Sequence, residues 1–228
     1  MLLSPNQSTA NRPVQLFLPT PSTRGGRRPG AGRKRIPGRR ASVPHRQRPP
    51  HIAAHPVHVT LRSVEAVRCL RASRVFPLVR RALVASSRAD FRIIQFTVQN
   101  DHVHLIAEAE TRRALSSGLR GLAIRIARGV NRALGRRGAV WADRFHARAL
   151  TTPRAVRHAI VYVLMNFRKH LNDVTGIDPC SSAEWFAGWR VPPVAIGIGP
   201  PPVAAARTWL ARVGWQRHGL IRLDERPK

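Results

Sequence analysis

The sequence predicts an α+β protein in which short strands alternate with amphipathic helices. Residues 57–62 alternate apolar and polar side chains, and residues 91–98 are rich in β-branched and aromatic side chains; both patterns are typical of strands. Residues 111–134 instead carry apolar side chains at every third or fourth position, which predicts a helix with one buried face. A chain of 228 residues is long enough to form one folded domain with tails.

The predicted elements follow the order strand, helix, strand, strand, helix, strand, and the helix that carries Tyr162 comes after them. Thr111 and Thr152 are expected to cap helices with their side chains, and Pro153 suits the first position of its helix. The third strand follows the second through a turn at 99–101, so the two are expected to pair antiparallel. The predicted bounds are a strand at 55–62, a short helical piece from Ser63, a helix from Ser73 to about Ser87, strands at 91–98 and 102–108, a helix from Thr111 to about Leu134, a strand or ribbon within 139–150, a helix from Thr152 to about His170, and a short helix over 204–213.

The charge of the chain is extreme. The net charge is +29 and the isoelectric point is near 12.0, and the first acidic residue along the chain is Glu65. Such a field attracts polyanions, so nucleic acid is the expected partner. The composition divides the chain into a disordered Arg/Pro/Gly-rich basic arm at 1–50, a folded domain at 51–175 and an extension containing tryptophan and proline at 176–228. The extension is expected either to pack over the core or to help hold DNA.

The basic arm contains a dense glycine-rich run at 24–35, which loosely resembles the minor-groove arm called an AT-hook. A solvated basic tail with general phosphate affinity is the preferred interpretation of this run. Candidate DNA-binding residues lie in the run and at basic positions of the folded domain: Arg27, Arg28, Arg33, Lys34, Arg35, Arg120, Arg125, Arg144 and Arg148.

The cellular location is expected to be the cytoplasm, in association with the nucleoid. Cys69 and Cys180 are widely separated, which indicates free thiols in a reducing compartment rather than a disulfide framework. No apolar run approaches the roughly 18–20 residues of a membrane span, and residues 1–17 lack the pattern of a signal peptide.

Two short motifs carry the chemistry. His102 and His104 are two residues apart on a predicted strand, so their imidazoles point to the same face and can serve one metal ion. Tyr162 and Asn166 are four residues apart on a predicted helix, which places a phenol beside an amide. Two imidazoles, an amide and a hydroxyl nucleophile are a plausible apparatus for cutting a phosphodiester.

The position of Tyr162 on its helix supports a functional role. His158, Tyr162 and Asn166 form a row well away from the apolar stripe, whereas a tyrosine used only for packing would lie within that stripe. Taken alone, a pair such as His102 and His104 is more often structural than metal-binding, and only the combination of motifs is specific. The other histidines are interpreted as ordinary residues, with His158 a minor candidate one turn before Tyr162.

These residues resemble the HUH single-tyrosine transposases of the insertion-sequence-200-like family, and among them the REP-associated tyrosine transposases. The resemblance spans about residues 55–175. It rests on the His102-Val-His104 strand, the arginine-rich helix carrying 127–131, the segment 140–148 and Tyr162-Val-Leu-Met-Asn166.

The resemblance implies a ferredoxin-like antiparallel sheet backed by helices, and it also implies a mechanism. His102, His104 and Asn166 would hold Mg²⁺ or Mn²⁺, and Tyr162 would attack single-stranded DNA to give a 5′-phosphotyrosine link and a free 3′-hydroxyl. The substrates would be hairpin-forming repeats, and the protein a monomer or a homodimer. Two alternatives remain: a non-catalytic DNA-binding relative of the same fold, and, ranked last, an RNA-binding protein, since the aromatic strand motifs of that class are missing.

Overall fold

The computed structural model describes residues 50–67, 69–169, 176–193 and 199–227. The predicted basic arm at 1–50, including Arg27, Arg28, Arg33, Lys34 and Arg35, lies outside these residues apart from Pro50. Among the described residues, no helix is long and apolar enough to cross a membrane.

Four antiparallel strands form the centre of the fold. They are β1 (Val57–Arg62), β2 (Phe91–Val98), β3 (His102–Ala109) and β4 (His146–Ala149), in the spatial order β2-β3-β1-β4. β1 therefore lies between β3 and β4, although 39 residues separate the end of β1 at Arg62 from the start of β3 at His102. This sheet, with helices between its strands, confirms the predicted α+β class and the ferredoxin-like arrangement.

Two helices, α1 (Phe76–Val84) and α2 (Arg112–Ala133), pack on one face of the sheet. The predicted apolar stripe of α2 is buried there, together with the alternate residues Val103, Leu105 and Ala107 of β3. Gly118 allows α2 to lie directly on the sheet, because a Cβ at this position would collide with the ring of Phe91.

The opposite face of the sheet is covered by a third helix, α3 (Pro153–Leu164). Ile94 and Ile106 from the sheet and Val156, Ile160 and Val163 from α3 belong to a second apolar cluster. Residues of the carboxyl-terminal extension complete this cluster: Ala183, Phe186, Trp189, Leu210, Ala211, Trp215 and Ile221. Of the two roles considered for the extension, the described part of it packs over the core.

A buried carboxylate fastens the extension to the sheet. Glu108 is fully buried, and its oxygens accept hydrogen bonds from the backbone nitrogens of Arg207 and Thr208, at 2.9 and 3.0 Å, and from the Thr208 hydroxyl at 2.9 Å. The Arg92 guanidinium, which is also buried, lies 3.3 Å from the same carboxylate and balances its charge. Thr208 in turn caps α4 (Trp209–Arg212). The carboxylate oxygens of Glu108 therefore provide hydrogen-bond acceptors for the backbone N–H groups just before this helix.

Three residues were predicted to cap the start of a helix, and two of these predictions are confirmed. The hydroxyls of Thr111 and Thr152 accept hydrogen bonds from the third helical residue, as expected. Ser73 was predicted to cap α1, but the helix begins at Phe76, after Val75. With Ser73 as the cap, the first helical hydrogen bond would need an N–H from Pro77, which proline lacks.

Several predicted bounds are also corrected. The segment 139–150 contributes only the four residues of β4 and a bridge between Trp141 and Ser63, so no helix starts at Ser63. α3 ends at Leu164 and gives way to a 3₁₀ helix, Asn166–Lys169, instead of continuing to His170. The helix predicted at 204–213 is limited to α4 and is followed by a second 3₁₀ helix, Gly214–His218; a third lies at Ala183–Trp185.

Candidate active site

His102 and His104 lie on the face of β3 that α3 covers. Their side chains leave the strand in the same direction, as predicted, and their ring centroids are 4.6 Å apart. Pairing of β3 with β1 puts Arg62 opposite His102 and Thr60 opposite His104. His104 is buried and His102 is mostly buried, with 16% of its side chain exposed.

Each of these histidines has a hydrogen-bond partner at its Nδ1 atom. The Asp101 carboxylate accepts from His102 Nδ1 at 2.6 Å and also binds Arg62 at 2.7 Å. His104 Nδ1 lies 3.0 Å from the Thr60 hydroxyl. Burial tends to raise the pKa of Asp101, but the hydrogen bond from His102 and the nearby charges of His102 and Arg62 outweigh burial and lower it. Partners of this kind fix the ring so that Nε2 faces the site, which is the usual arrangement of metal-binding histidines.

Tyr162 from α3 completes the cluster. Its side chain is half-buried, and its ring lies edge-on to the ring of His104 with the centroids 5.0 Å apart. The fold thus brings the predicted nucleophile next to one of the two predicted metal-binding imidazoles, although 57 residues lie between His104 and Tyr162 in the sequence.

One known protein family has a model that matches this part of the chain. Residues 57–163, which contain the sheet and the His102, His104 and Tyr162 cluster, match the family described as "Transposase IS200 like". This match spans the four strands, α1, α2 and most of α3.

Two solved structures also resemble this chain. One is described as the structure of the REP associates tyrosine transposase bound to a REP hairpin; it is 22% identical, covers 61% of this chain and 82% of its own, and has a TM-score of 0.49. The other is a putative transposase from Deinococcus radiodurans R1, 14% identical, covering 46% of this chain and 87% of its own, with a TM-score of 0.35. No curated protein matches the chain.

A third imidazole, that of His58, lies beside the cluster and was not predicted as a site residue. Its ring centroid is 5.4 Å from that of His104 and 5.5 Å from that of Tyr162, and its Nε2 atom is buried with no hydrogen-bond partner in the described part of the chain. The pKa of His58 is lowered to about 4, chiefly by burial and also by the nearby charges of His146 and Arg148. The alternation of β1 already put His58 on one face with Thr60, but only the pairing of β1 with β3 brings that face to the site.

Asn166 lies just beyond the end of α3. It is buried, and its Nδ2 atom has no hydrogen-bond partner among the described residues. The predicted row of His158, Tyr162 and Asn166 is only partly formed, because α3 ends at Leu164 and Asn166 begins the 3₁₀ helix that follows. His158 is exposed, Tyr162 is half-buried and Asn166 is buried.

Two imidazoles and an amide oxygen are donors of the kinds that divalent cations accept. No group of three or more His, Cys, Asp or Glu side chains with metal-binding geometry occurs in the described part of the chain. A cation bound here would therefore rely on His102, His104 and a neutral oxygen donor such as the Asn166 amide, with water filling other positions. Imidazole with amide oxygen suits Mn²⁺, and also Mg²⁺ when most of its ligands are oxygen atoms.

The candidate DNA-binding arginines divide between the two faces of the sheet. Arg148 lies opposite His58 in the β1–β4 pairing and lines an open cavity of about 540 Å³ that Tyr162 also lines. Arg144 is exposed just before β4. Arg120 and Arg125 are exposed on α2, on the other side of the sheet from Tyr162. The fold thus offers positive charge beside Tyr162 and, separately, on the face of the sheet that α1 and α2 cover.

Proposed function

We propose that the IS200-like domain cleaves and rejoins single-stranded DNA, with Tyr162 as the nucleophile and with Mg²⁺ or Mn²⁺ held by His102, His104 and Asn166. The observation that carries this proposal is the contact between the Tyr162 and His104 rings, on the face that also carries His102. Hairpin-forming repeats are the proposed substrates, and DNA transposition is the proposed process.

The proposed step exchanges one phosphodiester for another. The Tyr162 oxygen attacks phosphorus and loses its proton, the bond from phosphorus to the 3′-oxygen breaks, and that oxygen leaves as a 3′-hydroxyl after taking up a proton. The 5′ side remains attached to Tyr162, and attack by another 3′-hydroxyl reverses the exchange and releases the tyrosine. Because each step breaks one phosphodiester bond and forms another, no nucleotide triphosphate is consumed.

The residues around Tyr162 support this chemistry in distinct ways. Asp101 and Thr60 contact the Nδ1 atoms of His102 and His104, which restrains the orientation of both imidazoles. A cation held by these residues would withdraw electron density from the scissile phosphate and stabilise the charge that develops on it. Arg148, in the cavity beside Tyr162, would attract the phosphates that flank the scissile bond.

The experiment uses the full chain, an end-labelled single-stranded DNA hairpin, and Mg²⁺ or Mn²⁺, followed by a denaturing gel. A covalent adduct is expected with the wild-type protein, and none with Tyr162→Phe, with His102→Ala, or in EDTA. Tyr162 is the only tyrosine in the sequence, so a phosphotyrosine link can form nowhere else on this protein. Tyr162→Phe keeps the ring against His104 and serves as the matched control for folding and DNA binding.

An adduct of undiminished yield in Tyr162→Phe would remove this residue from the mechanism. Full cleavage in EDTA would exclude the proposed cation. DNA binding without any adduct, over a range of hairpins and both cations, would favour the non-catalytic DNA-binding alternative.

A further inference from the structure

A tryptophan of the carboxyl-terminal extension is exposed on the outside of the molecule. Trp209 is the first residue of α4, and 50% of its surface is exposed, although the next two residues, Leu210 and Ala211, are buried in the second apolar cluster. An exposed indole offers a large flat apolar surface on which another flat group can stack. Trp209 is therefore a candidate contact residue and not a part of the core.

The side chain of Trp209 is restrained by its neighbours. The Arg217 guanidinium lies over the indole with its Cζ atom 5.0 Å from the ring centroid, which is a cation–π contact. A Cβ added at Gly214 would lie 2.7 Å from the ring, so the absence of a side chain there lets the backbone approach the indole closely. The backbone beside Trp209 is fixed as well, because Glu108 binds Thr208. A restrained ring loses little conformational entropy when a ligand stacks on it.

The surroundings of Trp209 are positively charged. Arg212 follows Trp209 by three residues on α4, so the two side chains lie on the same side of the helix, and Arg212 is exposed. Neither Arg212 nor Arg217 forms an ion pair with a residue in the described part of the chain. No acidic residue occurs between Glu184 and Asp224 in the sequence. A partner that combines negative charge with flat apolar groups is therefore complementary to this surface.

The same part of the extension borders the cavity of Tyr162. The 3₁₀ helix that carries Arg217 is followed by Gly219, whose carbonyl oxygen accepts a hydrogen bond of 2.9 Å from Arg157 Nε. Arg157 belongs to α3 and lines the open cavity beside Tyr162. Because α3 and α4 share the second apolar cluster, Trp209 and Tyr162 lie on the same side of the sheet. Residues 214–219 thus connect the indole to the edge of the cavity.

We propose that Trp209 and Arg217 form a stacking platform for an unpaired base of single-stranded DNA, outside the cavity in which Tyr162 attacks. This inference rests on the proposed function in taking single-stranded DNA as the partner. A single strand supplies flat bases for the indole and phosphates for Arg212 and Arg217. In a duplex the bases are stacked on one another, so a duplex would meet the arginines but not the indole. The platform lies beyond residues 57–163 and so belongs to the extension, outside the segment that matches the IS200-like family.

The test measures binding of the full chain to a labelled single strand of mixed sequence that forms no hairpin and, in parallel, to a blunt duplex. Both affinities are measured across a salt series in EDTA. Trp209→Ala removes the indole, and Trp209→Phe keeps an aromatic ring. Arg217→Gln removes the stacked guanidinium, and Arg190→Gln, at an exposed arginine elsewhere in the same extension, is the matched control for the loss of one charge.

Trp209→Ala is expected to bind the single strand roughly 5- to 100-fold more weakly, the range for removal of one base-stacking side chain. Its log–log salt slope should stay close to that of the wild type, because stacking releases no counterion, and its duplex affinity should not change. Trp209→Phe should retain most of the affinity. Arg217→Gln should lower the slope by about 0.7, as expected for one phosphate contact on a single strand, and should lose more affinity than Arg190→Gln.

Fluorescence reports the stacking directly. A base stacked on an indole quenches its emission, so the emission of the wild-type protein should fall when the single strand binds. Trp209→Phe keeps the other four of the five tryptophans, and its emission should fall much less although it still binds DNA. If Trp209→Ala does not fold, as judged by circular dichroism, the quenching in Trp209→Phe and the affinity of Arg217→Gln decide the question.

Unchanged single-strand affinity in folded Trp209→Ala would overturn the inference and would favour a protein partner for this surface. Equal quenching in the wild type and Trp209→Phe would also overturn it, and so would an equal loss of affinity for the duplex, because charge alone would then explain the binding. None of these measurements needs cleavage. A protein that forms no adduct, but loses single-strand binding and quenching with Trp209, would contradict the proposed nuclease function and not the platform.

Discussion

Replacing Thr60 with valine tests whether the strand next to β3 orients the metal-binding face. In the proposed metal-bound state, His104 binds through Nε2, so its Nδ1–H donates to the Thr60 hydroxyl 3.0 Å away. Valine has nearly the same shape as threonine and suits a strand at least as well. Thr60→Val therefore removes this acceptor and leaves the packing of β1 in place.

The expected magnitude follows from the fate of the His104 N–H. A net hydrogen bond contributes about 0.5–1.5 kcal/mol, and a buried donor left without its acceptor costs about 1–3 kcal/mol. His104 is buried, so a loss of about 1–2 kcal/mol in metal binding is expected, equivalent to roughly 5- to 30-fold weaker affinity. This range overlaps the roughly 10- to 100-fold effects that are typical when a partner of a metal-binding histidine is removed.

The assay has two readouts. Calorimetry gives the Mn²⁺ dissociation constant directly, and the yield of covalent DNA adduct against Mn²⁺ concentration gives an apparent constant under reaction conditions. Thr60→Ser, which keeps the hydroxyl, is the matched control and should stay near the wild type. Both constants should rise in Thr60→Val, while the adduct yield at saturating Mn²⁺ should change little. An unchanged Mn²⁺ constant for folded Thr60→Val in calorimetry would refute the orienting role of Thr60.

Three further predictions concern stability, pH and the basic arm. Glu108→Ala should lower the free energy of unfolding by about 3–5 kcal/mol in urea denaturation, because it leaves the buried Arg92 unpaired; a loss below about 1 kcal/mol would contradict the anchoring role of Glu108. His58 has its pKa lowered to about 4 from an ordinary value of 6.5, so the unfolded state binds the proton first and stability should fall as the pH drops from 6.5 toward 4, by up to about 3 kcal/mol. His58→Gln should flatten that part of the pH profile measured in EDTA, and an unaltered profile would show that His58 is not held neutral. Deleting residues 1–50 should weaken DNA binding and its salt dependence but preserve cleavage at low salt and saturating DNA; loss of cleavage by a folded truncation would show that the arm helps to build the site.

The sequence identified the features that depend on residues close to one another. The strands β2 and β3, the buried stripe of α2 and the caps at Thr111 and Thr152 were predicted correctly. Each depends on a period of two or of 3.6 residues, or on a side chain that reaches an N–H three residues away. The common direction of His102 and His104 follows from the same two-residue period of a strand.

The tertiary structure decided which separate segments meet at the site. Nothing in the local pattern of residues 57–62 shows that β1 pairs with β3, yet this pairing delivers Thr60 to His104 and His58 to Tyr162. The bonds from Glu108 to Thr208, which hold the extension, span a hundred residues and are equally invisible in a local pattern.

The arginines show the same division between sequence and structure. Their number in the sequence was enough to predict an anionic partner, because net charge depends on composition alone. Their arrangement in space could not be predicted from composition. Arg148 lies beside Tyr162, whereas Arg125 lies across the sheet, in the groove between α1 and α2. Local patterns fix which face of a helix or strand a side chain occupies, but the neighbour of that face is chosen by the packing of surfaces far apart in the chain, where burial of apolar area across the whole domain sets the lowest free energy.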